Sequence, residues 1–258
     1  NTSIGWGAGD AYTTGGKNTA YGYEALSGTT TGQYNTGLGA YALEANTTAD
    51  YNTAIGYNAL KLNTTGTPNT AVGAFSLDAN TTGRNTGYGY NSLSAVTTGM
   101  NNTGCGDHAL QKCTGDFNTA IGHAALQQST TIEGNTAVGC RTLENTTTGD
   151  QNVGVGASAL NTNTTGAGNV AIGFHALIAN TTASWNIAMG HNAMKTNTTG
   201  ASNVAIGINA MYLNTTASDN TAVGYYTLFA NTTGTSNVAI GAYSLTSNTT
   251  ADENTAIG

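Results

Sequence analysis

A 17-residue unit, Asn-Thr-Ala-Ile-Gly-x-x-Ala-Leu-x-x-Asn-Thr-Thr-Gly-x-x, runs the whole length of this 258-residue chain. Copies begin at Asn1, Asn18, Asn35, Asn52, Asn69, Asn85, Asn102, Asn118, Asn135, Asn152, Asn169, Asn186, Asn203, Asn220 and Asn237, and a sixteenth starts at Asn254 and stops at Gly258. The copies from Asn69 and Asn102 are one residue short. A unit this small cannot bury a core by itself, so neighbours must stack. No composition break interrupts the period, so residues 1–258 read as one continuous repeat region. The first copy is degenerate at Trp6-Gly7-Ala8-Gly9 and the last is incomplete. Repeat arrays need polar caps, so the region reads as a piece of a longer fibre.

Counting from its Asn, each unit has a job at nearly every position. Position five is Gly in all sixteen copies, which demands a positive φ or a close backbone approach. Position one is always Asn, a residue whose stacked amides form ladders. Position two is Thr, Val or Ile, position three only Ala, Gly or Ser, and position four apolar. That alternation is a strand signal. It predicts that positions two and four face the interior and position three the other way. The size ceiling at position three then reads as packing against another chain, with Ala20, Ala54 and Ala171 toward neighbours. Position nine, Leu or Met from Leu26 to Leu245, supplies a second core residue on a second strand. Asn-Thr-Thr-Gly at positions twelve to fifteen is turn chemistry.

These assignments predict an all-β fold: a parallel β-solenoid, or β-roll, of about fifteen 17-residue coils. Helices of ~10 residues do not fit between the breaks of such a unit. Its thin core calls for further burial between chains, hence a homo-oligomer of parallel rolls.

The repeated pentapeptide Asn-Val-Ala-Ile-Gly, at Asn169–Gly173, Asn203–Gly207 and Asn237–Gly241, is similar to the core repeat of trimeric autotransporter adhesin heads. The longer Asn52–Leu60 stretch, followed by Asn63-Thr64-Thr65-Gly66, resembles repeats in bacteriophage and other viral tail fibres. The resemblance covers the whole chain. It implies a left-handed roll wound as a trimer, at a cell or virion surface. The unit departs from the adhesin pattern in being longer, and no stalk, membrane anchor or chaperone domain is recognisable.

Charged residues are 7% of the chain and the net charge is −7. No basic stripe could neutralise phosphates, so nucleic acid is not an expected partner. No apolar run approaches the ~20 residues that cross a bilayer, so membrane insertion is not expected either. Nothing in the pattern requires a cofactor. Acids are scattered, unlike the paired carboxylates of a glycosidase, and no nucleophile–base constellation stands out, so no catalytic residue is assigned.

One stripe rises above this background. Positions six and seven carry ten of the nineteen aromatics: Trp6, Tyr23, Tyr41, Tyr57, Phe75, Tyr90, Phe174, Tyr225, Tyr226 and Tyr243. They also carry all four histidines. The stripe reads as an aromatic ladder covering the bend or packing between chains, or as a contact for a glycan or receptor. Within it His108, His123 and Cys140 fall on successive coils, a weak metal-ligand column. Cys105 replaces a core aliphatic, and a bridge from Cys105 to Cys113 would span one coil. The sequons at Asn46, Asn63, Asn80, Asn163, Asn180, Asn197, Asn214, Asn231 and Asn248 read first as turn residues.

The leading function is therefore a non-catalytic structural and adhesive fibre shaft, extracellular or on a virion, that self-associates and contacts a cell-surface glycan or receptor. A monomeric ice-binding or surface-binding solenoid is the alternative, although here Thr-Thr lies in turns. A polysaccharide-degrading tailspike ranks below both.

Overall fold

The computed structural model describes all 258 residues. It contains sixteen three-residue strands, one per repeat copy, and no helix. The strands divide between two compact units. Asn1–Thr131 holds β1 (Thr2–Ile4) to β8 (Thr119–Ile121), and Ile132–Gly258 holds β9 (Thr136–Val138) to β16 (Thr255–Ile257). Within each unit every strand pairs in parallel with the next, position for position: Thr2 opposite Thr19 in the first, Val153 opposite Val170 in the second. The fold is an all-β parallel solenoid of about fifteen coils. The two short coils keep register, Thr70 opposite Thr86 and Thr103 opposite Thr119, so the missing residue is absorbed in the turns.

The strand faces are the reverse of the expectation. Ala20, Ala54 and Ala171 at position three are buried, whereas positions two and four are half-buried or exposed. The reason is the width of the coil. The Leu at position nine fills it and sits against position three of the following coil. A Cβ on Gly37 would lie 3.2 Å from Leu26 Cγ, and one on Gly104 3.1 Å from Leu93 Cδ1. Ala is the largest residue that fits there, so the size ceiling is internal and needs no second chain. Where position eight is enlarged, position three of the next coil can shrink. Ser76, Ser92 and Thr142 are each followed by Gly87, Gly104 and Gly154, where a Cβ would come within 2.5, 2.7 and 2.6 Å of those side chains.

Position nine does not lie on a second strand. From Leu26 to Leu245 its φ is between 49° and 55°, the left-handed region. A β-branched residue there is a genuine outlier, which explains why a fully buried position accepts Leu or Met and never Val or Ile. Burying each Leu contributes roughly 1.5–3 kcal/mol, against about 1–2 kcal/mol for left-handed backbone. Rung hydrogen bonds hold the bend: Leu26 N–H donates to the Ala42 carbonyl at 3.0 Å and Leu160 to Ala176 at 3.0 Å. Position five behaves as expected. Gly56 has φ 133°, and a Cβ on it would meet the Gly73 carbonyl carbon at 2.7 Å.

Two buried columns of Asn complete the interior. At position one, Asn35 Oδ1 accepts the Asn52 N–H at 2.9 Å while Asn35 Nδ2 donates to the Ala49 carbonyl at 2.7 Å. Asn169 does the same in the second unit, to Asn186 N–H at 3.0 Å and the Ala183 carbonyl at 2.9 Å. Each amide thus joins two coils and clips its own turn. At position twelve, Asn63, Asn163 and Asn197 donate to the carbonyl three residues on at 2.9 Å. The sequon residues from Asn46 to Asn231 are fully buried, so their amides are turn and core groups out of reach of a glycan in the folded coil.

Cys105 is another correction. Position four faces outward, so this thiol is exposed, while Cys113 at position twelve is buried. The two point to opposite sides of the coil wall and form no bridge.

Candidate interaction surfaces

The turned-out strand face is the first candidate surface. Position four is apolar in every copy, and Leu38, Ile121 and Ile206 keep 43%, 43% and 38% of their surface exposed. Position two lies beside it on the same face. In the first unit it is Thr in all eight strands. In the second it becomes Val153, Val170, Ile187, Val204 and Val238, leaving Thr136, Thr221 and Thr255. The second unit therefore presents two neighbouring apolar columns and the first presents one.

The aromatic stripe is the second. In the first unit it is continuous over seven coils. Trp6 stacks on Tyr23 at 5.0 Å, and Tyr41, Tyr57, Phe75, Tyr90 and His108 follow at 5.3, 6.0, 5.3, 5.9 and 5.6 Å. Every step after the first is edge to face, with planes turned by 69° to 89°, the arrangement that ring quadrupoles favour. In the second unit the stripe breaks into clusters. Phe174 stacks on His175 and His191 at 3.7 and 5.5 Å. Tyr225, Tyr226 and Tyr243 gather with Phe229, which carries Tyr212. Burial, then Lys195 and His191, holds His175 below the usual imidazole range.

A third column, at position seventeen, was not singled out from the sequence. Tyr34 and Tyr51 stack at 4.9 Å with planes 6° apart, and Lys17 Nζ lies 4.5 Å from the Tyr34 ring centre. Trp185 lies over Gly168, where a Cβ would meet the indole at 2.5 Å. Phe117 also belongs to this column, and with Trp185, Tyr34 and Tyr51 it is exposed. Four aromatics sharing one register position was the available signal.

The metal column divides differently from its sequence reading. His108 Nδ1 lies 2.6 Å from Asp107 Oδ1, and His123 Nε2 lies 3.8 Å from Asp107 Oδ2, while Cys140 belongs to the second unit. No group of three metal-ligating side chains converges. Several of the acids have individual structural partners. Asp50, Asp116 and Asp150 accept the backbone N–H of Gln33, Met100 and Glu133 at 2.7, 2.7 and 2.8 Å. Glu44 pairs with Lys61 at 3.4 Å. Burial pushes the half-buried Asp78 carboxyl up. The surface carries no enclosed pocket, and no helix is long and apolar enough to cross a membrane. No protein-family model, curated protein or solved structure matches this chain.

Proposed function

We propose that this chain is a non-catalytic fibre shaft, structural and adhesive, at a cell or virion surface, whose copies associate side by side. The observation that carries the reading is the outward apolar column at position four. A contiguous exposed apolar strip of this kind marks an interaction site. A partner that matches it rung for rung needs the same strand spacing of about 4.8 Å, and a second copy of the chain has it. The contact assigned to position three at the sequence level thus moves to positions four and two. Three copies, a left-handed roll and an extracellular or virion location are what the likeness to adhesin heads and tail fibres implies. The individual structural roles of Asp50, Asp116 and Asp150 support a shaft without catalytic carboxylates.

Sedimentation of the purified chain at micromolar concentration tests this. The expected result is a homotrimer that Ile206→Asp weakens, with the circular dichroism of the coil retained. A native monomer would sink the shaft reading. A second reading has one observation of its own: Thr19, Thr36, Thr53 and Thr70 stand in register on the outward face. This strand column, unlike the turn threonines, supports an ice-binding solenoid. Thermal hysteresis from a monomeric preparation would favour it.

A further inference from the structure

The aromatic stripe of the first unit carries an alternation that a 17-residue average hides. In the second, fourth and sixth coils the ring is at position six: Tyr23, Tyr57 and Tyr90. In the third, fifth and seventh it is at position seven: Tyr41, Phe75 and His108. The position-six rings are exposed, at 44%, 47% and 50%, and the position-seven rings are half-buried between them. Beside each exposed ring position seven is polar: Glu24, Asn58 and Asn91. Two of the half-buried rings have only Ala40 and Ala74 at position six, so nothing bulky stands between successive exposed rings. Planes meeting at 69° to 89° cannot all stack along one direction. The result is one protruding phenol every second coil, about 10 Å apart at two strand spacings.

We propose that this ladder is a binding track for an uncharged, extended, β-linked polysaccharide. In such a chain each pyranose is rotated about half a turn from the last, so every second sugar presents the same face. That repeat is comparable to two coils. Tyr rings offer an apolar face to sugar C–H groups and a hydroxyl to hydrogen-bond sugar hydroxyls. Glu24 and Asp107 are acids along the track, and its base, Lys61, 4.9 Å from the Tyr41 ring centre, is paired with Glu44, which disfavours a polyanion against a neutral polymer. The proposal rests on the adhesive half of the shaft reading and names the class of glycan contacted.

The test is native affinity electrophoresis of the full chain through gels containing hydroxyethyl cellulose, with amylose gels as the α-linked comparison. Retardation by hydroxyethyl cellulose alone is expected. Tyr57→Ala with Tyr90→Ala should weaken it at least tenfold at unchanged circular dichroism, whereas Leu213→Ala, at an exposed apolar residue on none of the three surfaces, should leave it intact. An unretarded native chain, equal retardation of the double variant, or equal retardation by amylose would overturn the proposal. So would a double variant whose assembly state changes, because the ladder would then be a contact between copies. Light scattering on the same samples separates the two readings. A retarded monomer defeats the shaft and leaves the track, and an unretarded trimer does the opposite.

Discussion

At position twelve the two units fill the same buried site in different ways. In the second unit an amide ladder runs unbroken from Asn163 to Asn248. Asn180 donates to Asn163 Oδ1 at 2.9 Å, Asn197 to Asn180 at 3.2 Å, Asn214 to Asn197 at 2.8 Å, Asn231 to Asn214 at 3.3 Å and Asn248 to Asn231 at 3.1 Å. In the first unit the column reads Tyr12, Thr29, Asn46, Asn63, Asn80, Val96, Cys113 and Ser129. Asn46 Oδ1 and Asn63 Oδ1 there are buried without a partner. Yet both units keep the same strand register and the same bends. The position-one amides, present in both, are therefore what the coil requires, and the position-twelve ladder is an addition. A buried polar column stabilises only where each member is satisfied; the run from Asn163 to Asn248 meets that condition, whereas Thr146, which opens the second unit's column, has its hydroxyl buried without a partner.

The largest effect should come from breaking that ladder. Asn197→Val removes donors to Asn180 Oδ1 and the Gly200 carbonyl and the acceptor for Asn214. Two groups are stranded, Asn180 Oδ1 and one N–H of Asn214, while the Gly200 carbonyl keeps Asn186 Nδ2 at 2.9 Å; at about 1–3 kcal/mol each, a loss of roughly 2–5 kcal/mol is expected. Asn63→Val should shift stability by about 1 kcal/mol or less, because one bond is exchanged for apolar burial and Val96 already occupies the equivalent site. Urea titration of both variants followed by circular dichroism reads the difference. Equal losses would mean that the ladder adds nothing to the second unit.

Position nine is the matching test of what the units share. Leu177→Met should be near neutral, as Met194 and Met211 occupy the same place. Leu177→Ile conserves volume, which ordinarily costs under ~1.5 kcal/mol. At φ 51° a β-branched side chain is an outlier beyond the left-handed strain that Leu already carries, so a loss above the ~1.5 kcal/mol of an ordinary swap is expected. The same pair at Leu60, φ 51°, should give the same values. An Ile variant as stable as the Met variant at either site would remove the left-handed bend as the reason for the sequence rule.

Much of this coil was legible from the repeat, and the misreadings have physical causes. Gly at position five and Asn at position one announced a bend and a ladder because no other residue does either job. Alternation at positions two to four showed which side chains share a face, but not which face is inside. The size ceiling at position three was the better guide, since the tightest packing lies under the strand, against Leu26 or Leu93, and not between chains. The absence of Val and Ile at position nine was an available sign of left-handed backbone. Among the surfaces, the repeat puts Tyr57 and Tyr90 on one stripe, and the run of ring contacts follows it. Their alternation with Tyr41 and Phe75 is lost when odd and even coils are averaged, and the Trp185 column because only four copies carry an aromatic at that position.

The smallest prediction sharpens the comparison at Cys113, which sits in the first unit where the second has Asn. Its thiol is fully buried, 3.6 Å from the Gly115 carbonyl and 3.6 Å from Asn118 Nδ2. Burial pushes it up to about 11, against an ordinary thiol near 8.5–9. A group raised on folding lends stability that is complete below the unfolded value and is lost as pH climbs toward the folded one. The native chain should therefore lose on the order of 2 kcal/mol between about pH 9 and pH 11 that Cys113→Val does not lose. Thermal melts of the two chains across that range isolate the thiol from the tyrosines, which titrate in both. Parallel curves would show that Cys113 ionises freely, as an open turn would allow, and that the first unit's column is not the closed apolar core that Val96 and Cys113 otherwise make it.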